Sequence, residues 1–422
     1  MQTTIERPGA VAGCPFTGHG ASYKPFEHEG LHEFFTAARR EQPVFYCEEI
    51  DYWVVTRRED VVAIMRNPDQ FSAATALQSI DPYPSELTEY LKQNNFTIEP
   101  VQSNCDRPRH TRIRQAAGQF LNMKRYMSYE PAVRELVKSY VEKMKGKDVV
   151  DLVDAINYEF PARVVFLMMG IKDVDPRQIK RWAQNRVMMT WGRLPREQLM
   201  DAGKELASFF QFCREIVEDR KRNPGDDYPS FLLKIRNNDD AILTENEVVC
   251  LMFALLLAAH EATTNALSNL QYQLLSHKDA WQRLVADRSR IPNAIEEGFR
   301  HSSSVISWRR QALEDVEVAG VTIPKGAKVM VALCSANRDE SKFDNPHEFD
   351  IDRANVREHI AFGNGIHVCV GAPMVRIQMK AVMEELIENF PDMKLVEGQK
   401  LDWLKTISFR GPRSLMVHPG GK

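Results

Sequence analysis

The sequence lacks the features that would place the protein in an oxidising compartment or a membrane. Its 422 residues include only seven cysteines, and no two of them lie close together, which argues against a disulfide framework. The longest apolar run, residues 248–259, has 12 residues and is too short to cross a bilayer. The N-terminus has neither the basic start nor the apolar core of a signal peptide. We therefore predict a cytoplasmic protein that is not bound to a membrane.

An excess of one charge, internal repeats and linkers are absent as well. The formal net charge of −3 gives no electrostatic reason to expect nucleic acid or an anionic membrane as a partner. No linker rich in glycine, serine or proline divides the chain, and hydrophobic residues make up 43% of it, which is enough for one large core. We predict a flexible tail over residues 1–20, followed by one monomeric domain over residues 21–422.

The sequence is rich in helical periodicity. Amphipathic and apolar helical patterns run almost without interruption over residues 110–300, which indicates a mainly α fold. Thr244 and Glu247 form a capping box that begins the most apolar of these helices. β-rich stretches within residues 43–57 predict a small sheet, whereas residues 71–106 lack periodicity and predict a long irregular segment.

The chain is organised around residues 361–373, AFGNGIHVCVGAP. Cys369 precedes a helical pattern over residues 375–389, and the dipole of a helix favours a thiolate at its N-terminus. A soft, anionic sulfur binds iron strongly. The neighbouring residues fit this chemistry, because glycines let the backbone approach a flat ligand, an aromatic ring shields the sulfur from water, and an imidazole can donate to an acidic group at the edge of the ligand. These neighbours are Gly363, Gly365 and Gly371, then Phe362, and then His367.

A second candidate site lies in the apolar helix, where the sequence turns abruptly polar after Ala259. Burying His260 and Glu261 in the middle of a helix is costly without partners, so we expect these two side chains to face a cavity. Ala258 and Ala259 are small enough to let a flat ligand lie close to the helix backbone.

The residues named in the cysteine loop match the haem-binding signature of the cytochrome P450 superfamily, and the chain resembles this family over residues 45–417. The resemblance implies a large helical domain with small β-sheets and a haem b held between a distal helix and the cysteine loop. Cysteine ligation makes the iron electron-rich and favours O–O cleavage. The resemblance assigns the iron ligand to Cys369, the haem propionates to His110, Arg114, Arg310 and His367, contact with the haem to Ala258, Phe362, Gly363 and Gly371, proton handling to Glu261 and Thr263, and a structural network to Glu297, Arg300 and Arg353.

The distal helix departs from the family pattern at one position. The threonine that usually follows the acid is Ala262 here, and Thr263 comes one residue later, about 100° further around the helix. Two interpretations of Thr263 stay open, since it either manages protons or bonds back to a backbone carbonyl together with Thr264. We expect that the enzyme forms little product per reductant consumed, or that it readily uses hydrogen peroxide, which brings its own protons.

The stretches YWVVTR, IPNAIEEGFRHSSSV and SFRGP are similar to the self-sufficient bacterial branch, whose haem domain is fused to a flavin and iron-sulfur reductase. No such module is present in this sequence. We expect either an excised haem domain or a stand-alone relative that takes electrons from a ferredoxin or a separate reductase. The expected reaction inserts one oxygen atom from O2 into a small or medium apolar substrate.

Three alternatives compete with a monooxygenase. A peroxygenase on the same haem is favoured by Ala262. A haem sensor without catalysis is disfavoured by Glu261 and by the long loops, and a metal-free helical scaffold would leave the glycines around Cys369 unexplained.

The resemblance also places two sets of residues over the substrate, although packing or a solvated loop explains each set equally simply. They are Leu77, Ile80, Tyr83 and Phe96 in the irregular segment, and Val187, Met188, Met189 and Trp191 in the middle of the chain. Arg109 and Arg112 are either contacts of an acidic electron donor or ordinary surface arginines.

Overall fold

The computed structural model describes residues 18–420, and this part of the chain is mainly helical. Most of the predicted tail, residues 1–17, lies outside the described residues. The α-helices are α1 (His19–Ser22), α2 (Leu31–Glu41), α3 (Arg58–Arg66), α4 (Ser85–Gln93), α5 (Arg109–Gly118), α6 (Met123–Glu142), α7 (Phe160–Met169), α8 (Pro176–Trp191), α9 (Arg196–Arg222), α10 (Tyr228–Arg236), α11 (Glu245–Ser276), α12 (Lys278–Ala286), α13 (Ile291–His301), α14 (Leu333–Ala336) and α15 (Ala372–Asn389).

The strands are short and form small sheets at the margin of the helical body. They are β1 (Val44–Cys47), β2 (Tyr52–Val55), β3 (Phe71–Ser72), β4 (Val150–Asp151), β5 (Trp308–Ala312), β6 (Val316–Val318), β7 (Val321–Ile323), β8 (Lys328–Val331), β9 (Lys394–Leu395) and β10 (Met416–His418). One sheet has the strand order β1-β2-β8-β5-β3, a second has the order β4-β10-β9, and β6 pairs with β7. In the first sheet β2 runs parallel to β8, and β8 runs antiparallel to β5.

Helix α11 is the central element of the helical body. Its N-terminus carries the predicted capping box, in which Thr244 Oγ1 accepts from the Glu247 N–H while the Glu247 carboxylate accepts from the Thr244 N–H. The helix packs against α7, α8 and α9 on its sides. By length and composition α11 could cross a membrane, but 72% of its most apolar window is buried inside the protein, as expected for the core helix of a folded domain.

The hydrophobic core extends through most of the described chain. One contiguous cluster of buried side chains reaches from Tyr23 to Val417, and a smaller cluster covers the five-stranded sheet, including Trp53 and Val329. Helix α15, which follows the cysteine loop, packs against α6 and α13. The loop is therefore anchored on both sides by core helices.

The predicted mainly α fold and the small sheet at residues 43–57 are confirmed. Two predicted segments need correction. Residues 71–106 are not wholly irregular, because they contain β3 and α4. The helix after Cys369 begins at Ala372 rather than at residue 375, because Pro373 fits the first turn of a helix, where its missing N–H is not needed.

Candidate functional site

The cysteine loop is a tight turn that depends on two glycines. Gly363 and Gly365 have φ angles of 78° and 72°, which other residues rarely adopt. A Cβ atom on Gly365 would lie 2.4 Å from the Met65 carbonyl oxygen. The loop closes where the Cys369 N–H donates to the Phe362 carbonyl at 3.0 Å. Gly371 has an ordinary φ, and a Cβ atom there would make only normal contact with Cys369 Sγ at 3.8 Å.

The environment of Cys369 combines burial, which dominates and raises the pKa of the thiol overall, with nearby positive potential that partly offsets it. The side chain is exposed although it lies deep among protein atoms, so it faces an internal space. Burial raises the pKa of the Cys369 thiol, whereas the N–H groups of Gly371 and Ala372 and the charges of Arg114 and Arg376 lower that pKa. These four groups stabilise negative charge on the sulfur, as a thiolate ligand requires.

Phe362 is held beside Cys369 by an ion-pair network that sequence reasoning missed. Its ring contacts the Phe299 ring at 4.7 Å and the Arg376 guanidinium at 4.6 Å. Glu296 accepts hydrogen bonds from Arg376 at 2.6 and 2.8 Å and from His359 at 2.9 Å. Burial alone would raise the pKa of Glu296, but these hydrogen bonds and charges lower it to about 2. The network therefore fixes a guanidinium next to the sulfur.

Three of the four predicted propionate-binding residues, His110, Arg310 and His367, lie together. His110 and Arg310 keep side-chain nitrogens that are available to bind an anion. The His110 and His367 rings are 4.4 Å apart. Neither ring nitrogen of buried His110 has a well-aligned hydrogen bond among the described residues, although the Ile366 backbone lies within reach, and Arg310 Nη2 has no partner there. Burial lowers the pKa of Arg310 to about 10, and the charge of Asp106, which forms no ion pair with it among the described residues, offsets this only in part. An anion placed here would satisfy these groups.

His367 and Arg114 extend the same basic edge. His367 Nδ1 lies 3.0 Å from the Gln102 carbonyl, which can only accept, so Nδ1 carries the proton. Burial and the charge of Arg310 lower the pKa of His367 to about 4, and a nearby anion would act in the opposite direction. Arg114 donates to the Val368 carbonyl at 2.7 Å. A negatively charged group therefore suits this edge.

These residues fit a haem group. The Cys369 thiol would offer a sulfur ligand to the iron, and the basic edge would offer sites for two carboxylates. In the described part of the chain no group of three or more His, Cys, Asp or Glu side chains converges on a metal, so an iron bound by Cys369 would need a ligand frame of its own. Ala258 leaves room for a flat ligand beside α11, because it is exposed although most of this helix is buried.

The polar residues of α11 lie on a different face from the one we predicted. His260 and Glu261, which we expected to face a cavity, are buried to 0% and 3% relative exposure. Lys180 of α8 donates to the Glu261 carboxylate at 3.1 Å and is itself fully buried. The more open side of α11 is instead formed by Ala258 with the half-buried Ala259 and Ala262. This side is apolar.

The threonines after Ala262 both bond to backbone carbonyls. Thr263 Oγ1 donates to the Ala259 carbonyl at 3.1 Å, and Thr264 Oγ1 donates to the Asn157 carbonyl at 2.7 Å. Of the two interpretations left open by the sequence, this geometry matches the structural one. The hydroxyl proton of Thr263 is already committed within its own helix.

The predicted structural network is present and fully buried. Arg300 binds Glu297 through two hydrogen bonds of 2.6 Å, and Arg353 Nε approaches the same carboxylate at 3.4 Å. Arg300 also donates to the carbonyls of Asn337, Pro346 and Glu348. Because its donors are all engaged, the network joins α13 to the irregular segment that leads into the cysteine loop.

The residues predicted to contact substrate or an electron donor fall into two groups: some are packed in the core, and others are paired with a carboxylate. Val187, Met189 and Trp191 are buried. The two predicted donor-docking arginines are instead engaged internally, because Arg112 binds Glu247 at 2.6 and 2.8 Å and Arg109 approaches Glu247 at 2.9 Å. Their ion pairs hold Glu247, the capping-box residue at the start of α11, in place.

A sequence signal for Lys180 existed, although we did not use it. Lys180 lies four residues after Pro176 and three before Ala183, two buried positions of α8, so it occupies the apolar face of an amphipathic helix. A lysine at such a position predicts a buried acid nearby. Nothing in the local pattern identifies Glu261 as that acid.

Comparisons with known proteins agree with this geometry. The family model described as Cytochrome P450 matches residues 8–413. Cytochrome P450 107B1 of Saccharopolyspora erythraea is 31% identical over 91% of this chain and 94% of its own length.

Two solved structures are similar in both sequence and fold. "Cytochrome P450 CREJ in complex with (4-ethylphenyl) dihydrogen phosphate" superposes with a TM-score of 0.92 and 34% identity, covering 95% of this chain and 100% of that one. An intact type IV self-sufficient cytochrome P450 monooxygenase gives a TM-score of 0.92 and 34% identity over 99% of this chain, which spans 55% of that longer protein. The family match over nearly the whole chain and these similarities lead to one conclusion: the protein belongs to the cytochrome P450 family of haem monooxygenases.

Proposed function

We propose that the protein is a haem-thiolate monooxygenase in which Cys369 would ligate the haem iron, and that it inserts one oxygen atom from O2 into a small or medium apolar substrate. The observation that carries this proposal is the position of Cys369, whose sulfur faces an internal space while two N–H groups and two guanidiniums favour its negative charge. When bound, the haem supplies activation of O2 by an electron-rich iron.

The residues around the sulfur hold and orient the cofactor. We assign one carboxylate of the haem to Arg310 and His367, and the other to His110 and Arg114, because these groups have unused hydrogen-bonding capacity or positive charge at one edge. Phe362, fixed by Arg376, shields the sulfur from water. Phe362 and the N–H groups of the helix start thereby keep the thiolate in a defined environment.

The distal side is assigned to α11. Ala258, Ala259 and Ala262 present an apolar surface on which substrate can lie and from which water is excluded. Glu261 Oε2, held by Lys180 Nζ at 3.1 Å, is the group we assign to accept and pass on a proton, and Lys180 is its positioning residue. Thr263 is not assigned a proton-transfer role, since its hydroxyl binds the Ala259 carbonyl.

We propose that electrons come from a ferredoxin or from a flavin and iron-sulfur reductase. The similarity to the haem part of a self-sufficient monooxygenase supports this source. The absence of close cysteine pairs in the sequence and the bacterial origin of relatives such as cytochrome P450 107B1 support a cytoplasmic location. An apolar substrate is supported by the apolar side of α11 and by the ethylphenyl group bound by the relative CREJ.

A second candidate function is peroxide-driven oxygenation by the same haem. It is favoured by Ala262 at the position of the usual threonine, together with the internal hydrogen bond of Thr263. Both leave the distal helix without a free alcohol at these two positions. Turnover with hydrogen peroxide in the absence of any reductase distinguishes this function from the first.

The assignment of Cys369 is tested by the absorption spectrum of the reduced, carbon monoxide-bound protein. We expect the Soret band typical of a thiolate ligand in the wild type and its loss in Cys369→Ala. The matched control is Cys105→Ala, which removes a buried cysteine outside the loop and should leave the band unchanged. A thiolate-type band that survives in Cys369→Ala would contradict the proposal.

A further inference from the structure

One of the four cationic side chains of helix α8 has no carboxylate partner among the described residues, and this bears on the substrate. Arg177 binds Asp154 and Glu159, Lys180 binds Glu261, and Arg181 binds Glu205. Arg186 has no carboxylate partner among the residues that the structure describes. Its guanidinium instead donates to the Tyr83 hydroxyl at 3.0 Å and to the Leu77 carbonyl at 3.3 Å.

A second guanidinium without an acid lies close to Arg186. Arg309 of β5 is fully buried and donates to the Ala76 carbonyl at 2.7 and 3.1 Å and to the Tyr52 hydroxyl at 3.3 Å. Burial lowers the pKa of Arg309, and the charge of Arg186 lowers it further. Two positive charges that repel each other are therefore held together, within the described structure, by neutral acceptors alone.

The groups around these two arginines can still donate hydrogen bonds. The hydroxyls of Tyr52 and Tyr83 accept from the arginines, so each keeps a proton for another acceptor. The Trp191 ring lies 5.5 Å from the Arg309 guanidinium, and its buried Nε1–H has no partner in the described part of the chain. The cluster thus offers several donors and a net positive charge, which are the requirements of an anion site.

The cluster is close to the candidate active site. Arg309 and Arg310 are neighbours on β5, so the cluster and the haem edge are built on adjacent residues of one strand, although their two side chains point to opposite faces of the sheet. Trp191 also contacts Trp308 at 5.9 Å and Phe409 at 5.0 Å. The three rings form an aromatic wall that reaches the cluster through Trp191, which lies against Arg309.

We propose that Arg186, Tyr83 and Arg309 bind an anionic group on the substrate, so that the substrate class is an apolar body carrying a carboxylate or a phosphate monoester. This inference rests on the proposed oxygenase function. The apolar part of the substrate lies against the aromatic wall and α11, and the anionic group fixes which carbon approaches the haem. Arg186 provides the principal contact because it is less deeply buried than Arg309.

The test compares three probes on the haem-loaded protein: octanoate, octyl phosphate and 1-octanol. Dissociation constants are measured by calorimetry and by the change in the haem spectrum. We expect the wild type to bind at least one of the anions more tightly than 1-octanol. Arg186→Gln should raise the dissociation constant of that anion about tenfold or more, as expected for loss of a charge-assisted hydrogen bond. The dissociation constant of 1-octanol should change by less than about twofold. The anion that binds more tightly identifies the carboxylate or the phosphate as the preferred group.

The matched control is Arg181→Gln, which removes the same charge from the same helix at a position paired with Glu205 and should change none of the three constants. Tyr83→Phe, a milder variant that keeps the ring, should weaken the anion only. Tighter binding of 1-octanol than of both anions, or equal weakening of all three probes by Arg186→Gln, would overturn the inference. The carbon monoxide spectrum is unaffected by that result, so the proposed function is judged separately.

Discussion

The buried pair of Lys180 and Glu261 makes a quantitative prediction about the helix that carries the distal site. Lys180 has no exposed surface, and its Nζ lies 3.1 Å from the Glu261 carboxylate and 3.0 Å from Thr264 Oγ1. The same Nζ lies 4.7 Å from the Tyr158 ring centre. Burial lowers the pKa of Lys180, while the charge of Glu261 raises it. Replacing Lys180 by methionine keeps the volume and removes the charge, so Glu261 becomes a buried carboxylate without a counterion.

The magnitude follows from the distance. Two unit charges 3.1 Å apart attract by about 5 kcal/mol at an effective dielectric constant of about 20. Breaking one side of a buried pair typically costs about 3–5 kcal/mol, against a total stability of about 5–15 kcal/mol. We therefore expect Lys180→Met to lower the free energy of unfolding by several kcal/mol. The double variant Lys180→Met with Glu261→Gln should be more stable than additivity predicts, by about 2 kcal/mol or more.

The assay is urea unfolding followed by circular dichroism at equal haem loading, since bound cofactor stabilises the folded state. The control is Lys204→Met on α9, whose exposed pair with Asp201 should contribute almost nothing. A loss below about 1 kcal/mol in Lys180→Met, or additive effects in the double variant, would refute the reasoning, because a buried carboxylate cannot lose its paired cation without cost.

Three further predictions concern the cysteine loop and the distal helix. Glu296 has a lowered pKa of about 2, so its contribution to stability is present above about pH 4.5 and is lost as pH falls toward 2; Glu296→Gln should flatten the pH dependence of urea unfolding in that window, and an unchanged slope would contradict this. Gly365→Ala brings a Cβ to 2.4 Å from the Met65 carbonyl at a positive φ, so we expect low haem content in spectra of the purified variant, whereas Gly398→Ala, with a similar φ in open space, should retain haem. Ala262→Thr should raise the amount of product formed per NAD(P)H and lower peroxide-driven turnover. If both quantities stay unchanged, this position has no role in proton delivery.

The sequence predicted the parts of the site that are encoded locally. The glycines of the cysteine loop, the capping box of α11 and the displacement of Thr263 all depend on residues within one or two helical turns, so their geometry follows from spacing alone. The family resemblance added distant residues such as Arg310, whose burial without a carboxylate is visible only in the fold.

The parts that were missed depend on contacts between distant segments. Glu296 and Arg376 are 80 positions apart, and Lys180 and Glu261 are 81 apart. The pattern within one helix can show that a charge such as Lys180 is buried, but the acid that pairs with a given base is decided by the packing of helices. For the same reason, the expectation that Glu261 faces a cavity was wrong: a mid-helix charge signals a requirement for a partner, and a lysine on a neighbouring helix meets that requirement as well as water does.

Helix α8 shows how this limitation affects the assignment of specificity. From the sequence its four cations differ only in position, and the apolar face of the helix identifies Lys180 as buried but says nothing of Arg186. That no carboxylate of residues 18–420 pairs with Arg186 is a property of all the segments around it, including Leu77 and Tyr83 from a loop more than a hundred positions away. A charge that the fold leaves uncompensated beside a reaction site costs stability, and a substrate anion that compensates it gains affinity by the same amount of interaction. The unpaired arginine is therefore more informative about the substrate than the apolar residues predicted to line the pocket, because apolar contacts fit many molecules whereas a paired charge selects a chemical group.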